Sequence, residues 1–101
     1  MPFEAVLAQN EISGERRAAL NLVLGAVLSR ARGQEPQVVR AKPMIELFPV
    51  LSLAQANGGI DLAEAIRLVA EVVGSQALAF EVLKAHKGSG FGEDGYEALG
   101  L

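Results

Sequence analysis

The chain contains no cysteine and no tryptophan, and only one histidine and one tyrosine. Without cysteine there are no disulfides, no thiolate metal sites and no cysteine nucleophile, and the redox compartment leaves no mark on the sequence. The single imidazole, His86, stands beside Lys84 and Lys87 where a helix is expected to end, so it reads as a C-terminal cation and not as half of a catalytic pair. Basic residues are also few. Lys and Arg total 9 against 12 Asp and Glu, a net charge of −3, which argues against the positive footprint of a nucleic-acid binder. Six of the nine basic residues lie in the first fifty positions, but five acids accompany them. No aromatic residue is interleaved between Arg16 and Lys42 to stack on a base.

Long apolar runs are missing too. The longest, from Ala18 to Leu28, is interrupted by Asn21 and Gly25 and falls short of the roughly 20 residues of a membrane span. The opening Met1-Pro2-Phe3-Glu4 has an early acid and no basic segment, unlike a signal peptide. The expected location is the cytoplasm, or the interior of a larger assembly.

What is present is a globular composition: 101 residues, 50% apolar and 21% charged, enough for one domain with one modest core. The periodicity is helical throughout. It predicts an all-α bundle of three to four helices over about 2–10, 14–32, 43–57 (kinked at Pro49, where two short helices or one bent helix fit equally well) and 62–86. Ser13 and Gly33 bracket the second helix as cap and stop. That helix is apolar around most of its circumference, as expected of a central helix or of one buried by another subunit. Its small and polar stripe, Asn21, Gly25 and Ser29, is a candidate for close helix packing. Asp61 and Glu64 have the spacing of a capping box for the last helix, within which Gly74-Ser75 marks a site of bending.

From Gly88 the composition changes. Five of the last fourteen residues are glycine, three are acidic and none is basic, so 1–87 reads as a helical domain and 88–101 as a Gly-rich tail. The tail alternates acids with apolar residues: Phe91, Glu93, Asp94, Tyr96, Leu99 and Leu101 resemble a linear peptide for a basic, apolar groove. Arg30, Arg32, Arg40 and Lys42 carry the opposite charge and are the candidate receptor on a neighbouring copy.

No residue pattern calls for a metal, a cofactor or a small-molecule substrate. Glu64 and Glu71 share a helical face but have Arg67 between them, and no Glu-x-x-His motif accompanies them. Gly88-Ser89-Gly90-Phe91-Gly92 lacks the following lysine and helix of a phosphate loop. Two readings of function follow. The first is a non-enzymatic assembly or adaptor subunit that packs through apolar helix surface, with a protein partner or a second copy, and docks its tail on a neighbour. The second is a helical leader whose C-terminal peptide is the substrate of a processing enzyme.

Overall fold

A computed structural model describes residues 2–36, 41–56 and 58–101, with the side chain of Glu93 outside that description. Seven helices and no strand occur among the described residues: α1 (Phe3–Gln9), α2 (Gly14–Ala31), α3 (Lys42–Leu47), α4 (Val50–Ala54), α5 (Leu62–Val73), α6 (Gln76–Gly88) and α7 (Glu93–Leu99). The all-helical class agrees with the periodicity, but the expected three or four long helices are divided into shorter ones.

The wide apolar surface of α2 is used within the chain. Leu20, Val23, Leu24 and Val27 are buried, with α4, α5 and α7 packed around the helix. Each such side chain contributes about 1.5–3 kcal/mol relative to exposure, which is why α2 occupies the centre. Its end is a Schellman motif: Gln34 N–H donates to Ser29 O and Gly33 N–H to Arg30 O, with Gly33 at φ +77°. Ser13 occupies the N-cap position, without a side-chain hydrogen bond.

One of the expected helices is broken, and the proline-containing segment takes the two-helix form of its two alternatives. The segment 62–86 is two helices, because Gly74 at φ +103° stops α5 and the Ser75 hydroxyl accepts from Leu78 N–H to start α6. A left-handed C-terminal glycine followed by an N-cap serine ends one helix and begins the next. The kinked segment 43–57 is likewise separated into α3 and α4. Pro49 has no N–H to continue the first helix and instead becomes the N-cap of the second. The Asp61 cap is formed, its carboxylate accepting from Glu64 N–H at 2.8 Å.

The Gly-rich stretch is the largest correction. Helix α6 runs through Gly88, so the expected boundary falls on its last residue, and Glu93–Leu99 then forms α7 against α2. Glycine makes that approach close. A Cβ at Gly92 or Gly95 would lie 2.5 or 2.6 Å from the Leu28 methyls, so these two positions serve the packing and not flexibility. Phe3 N–H, an unsatisfied donor at the start of α1, is met by the Ser89 hydroxyl at 3.1 Å, which ties the two ends of the chain together. Glu4 and Arg17 then join α1 to α2 by a bidentate ion pair.

Candidate functional site

On α4, Val50, Leu51 and Ala54 turn inward, and Leu53, two residues beyond Leu51, is left on the opposite side. It is 65% exposed, and Leu47 at the end of α3 is 55% exposed. Beside Leu53 runs a groove of about 590 Å³ between α4 and α5, with Pro49, Val50 and Leu68 among its apolar walls. Glu64, Arg67 and Glu71 line its α5 side, spaced to share one helical face. Glu64 lies 3.8 Å from the Arg30 guanidinium. Arg67 and Glu71 form no ion pair among the described residues.

Arg30 itself is turned inward, 5% exposed. Its Nε donates to Gly58 O at 3.0 Å, Nη2 to Gly59 O at 3.1 Å and Nη1 to Ala54 O at 3.4 Å. The guanidinium thereby satisfies the carbonyls that close α4 and lead into α5, which fixes the angle between the two walls of the groove.

A second cleft, of about 810 Å³, separates α1 from α6 and is lined by Pro2, Val6 and Ala85 with Gln9, Glu81 and Lys84. Of its polar groups, the Asn10 amide donates to Val6 O, the Ser89 hydroxyl accepts from Phe3 N–H, and the Lys84 ammonium sits 5.1 Å from the centre of the Phe80 ring. Close by, His86 is enclosed by three aromatic rings. Phe3 meets it edge-on at 4.8 Å, Phe91 stacks on it at 5.0 Å, and Tyr96 meets it edge-on at 5.7 Å. The Tyr96 hydroxyl lies 2.7 Å from His86 Nδ1. Burial holds the imidazole below its ordinary pKa and raises the Tyr96 phenol above its own. The phenol therefore keeps its proton, and, being fully buried with no other acceptor among the described residues, it donates to Nδ1. Among the described residues no group of three His, Asp or Glu side chains is arranged to hold a metal ion.

Comparison with protein-family models, curated proteins and solved structures gives no match.

The residues singled out in the sequence are dispersed. Tyr96 is fully buried and Leu99 nearly so, Leu101 is half-buried, and Asp94 and Phe91 are exposed. Phe91 is the residue after the Gly90 stop of α6, where an apolar side chain covers the last turn; the residue it covers is His86. Arg30 is committed to backbone carbonyls, whereas Arg32 and Lys42 are exposed. Arg40 and the Glu93 side chain lie outside the described residues. Asn21 and Gly25 are exposed and Ser29 half-buried; nothing lies within 4 Å of a Cβ built on Gly25, so this stripe faces open space. Leu47 and Leu53 carry no mark in the sequence, and Arg67 and Glu71 read there only as part of a charged helical face. What sets the leucines apart is local: Pro49 resets the phase of the apolar pattern and leaves one leucine on the outer face.

Proposed function

We propose that the protein is a non-enzymatic assembly or adaptor subunit that binds a protein partner through the outer edge of α3 and α4 and the adjoining α4–α5 groove. The observation that carries this reading is the exposure of Leu53 at the edge of an apolar groove, with Leu47 exposed at the end of the preceding helix. Covering each of these leucines would contribute about 1–2 kcal/mol to association. No part of the reading requires α2 or α7, whose apolar residues are already in contact within the chain. The alternative of a processed C-terminal peptide loses its motive, since Tyr96 and Leu99 are held in the body and are not offered to an enzyme.

A photo-crosslinking amino acid at position 53, introduced in the cells that make the protein, tests the reading. A discrete crosslinked protein is expected from position 53 and none from the exposed Ala77 on α6. Equal, diffuse labelling at both positions would overturn it.

A further inference from the structure

We infer, building on the interaction reading above, that the partner at the α4–α5 face is a second copy of this chain, related by a two-fold axis. A two-fold interface must be complementary to itself: the patch that residue i presents to j is met by the patch that j presents to i. The α4–α5 face has that property in both shape and charge. In shape, it carries a projecting side chain, Leu53, at the edge of the groove that would receive the partner copy's Leu53. In charge, it carries Arg67 and Glu71, one turn apart on α5 and without an ion pair among the described residues.

The register follows from the helix. When α5 and its symmetry mate cross antiparallel, the axis midway between positions 67 and 71 lies level with Val69. Arg67 then faces Glu71 of the other copy, and Glu71 faces its Arg67. Leu68, which borders the groove, falls next to the axis. Glu64 takes no part, because it lies against Arg30. The mixed pair also disfavours other occupants. A strongly basic peptide would meet Arg67 and a strongly acidic one would meet Glu71, whereas a surface with the same pair in reversed order satisfies both.

Sedimentation velocity on the full chain across micromolar to sub-millimolar concentrations tests the inference. The expected result is a reversible dimer. R67E or E71R alone places like charges opposite each other twice and raises the dimer Kd about tenfold. The double variant R67E/E71R reverses both partners and brings the Kd back to within about threefold of the original. L53E removes the dimer. Circular dichroism accompanies each variant, and helical content is expected to stay unchanged because all three side chains are on the surface. A wild-type monomer at every concentration, or a double variant no better than the single ones, overturns the dimer. The two readings fail separately. A crosslinked product from position 53 with twice the mass of the chain supports the dimer. A product of any other mass leaves an interaction subunit and overturns self-association.

Discussion

At the scale of the residue, the tightest chemistry in the molecule belongs to His86 and Tyr96. Neutral His86 accepts from the phenol at Nδ1 and carries its own proton on Nε2. Protonating Nδ1 would make both groups donors, and the fully buried phenol would lose the acceptor it has there. Desolvation acts in the same direction, so the folded pKa is below the unfolded value of about 6.5. A base whose pKa is depressed on folding contributes stability that is present above the unfolded pKa and lost as pH falls through the folded one. The melting temperature is therefore expected to fall as the pH is lowered from about 6.5, more steeply for the natural chain than for H86Q. Equal slopes for the two proteins between pH 6.5 and 5.5 would remove His86 from the account. Y96F, which leaves Nδ1 without its donor, should cost about 1–2 kcal/mol at neutral pH.

At the scale of the element, glycine has opposite roles in two helices, and one substitution separates them. Gly25 lies in the interior of α2 facing open space, so G25A gains helix propensity and should stabilise by about 0.5–1 kcal/mol. Gly95 lies in α7 with Leu28 against it. There a Cβ would meet a methyl at 2.6 Å and the Leu28 carbonyl oxygen at 3.2 Å, and that oxygen cannot move away as a side chain can. Packing outweighs propensity at that site, and G95A should destabilise by about 1–2 kcal/mol. Thermal melts of the two variants shift in opposite directions if this is correct; a stabilised G95A would mean that α7 stands away from α2. The same contrast explains what was legible in the sequence. Asp61 with Glu64, and Gly33 after Ala31, are local signals whose partners lie within a turn; the Gly33 stop and the Asp61 half of the capping box are formed, while the Glu64 carboxylate lies against Arg30. Gly74-Ser75 was equally local but was read as a bend, although a stop and a start lie side by side there. Helix α7 was not legible, because the purpose of Gly92 and Gly95 is set by Leu28, more than sixty positions earlier. The α4–α5 face was hidden differently. Residues 44–54 are almost all apolar, and only the break at Pro49 decides which leucine faces outward.

At the scale of the whole molecule, the question is whether α7 belongs to the body or detaches from it. The radius of gyration of 12.4 Å is close to the roughly 13 Å of a 100-residue domain, which leaves no room for a protruding terminus. Four contacts bind the C-terminal residues to three other helices: Tyr96 to His86 of α6, Gly95 to Leu28 of α2, Ser89 to Phe3 of α1, and the Lys87 ammonium to Leu101 O. Releasing α7 would leave the buried Tyr96 phenol without its partner and wet Leu28, whereas the Lys87 contact is exposed, so the first two carry the cost of opening α7. The composition supplies the probe. Tyr96 is the only tyrosine and there is no tryptophan, so intrinsic fluorescence reports on α7 alone while far-ultraviolet circular dichroism reports on all the helices. In a urea titration at one fixed protein concentration the two signals should change together, with the same midpoint and slope, as one cooperative unit. A tyrosine transition at lower urea than the helical one would make α7 a separable arm after all. The surface it left behind on α2, centred on Leu28, would then be a competitor to the α4–α5 face for a second copy.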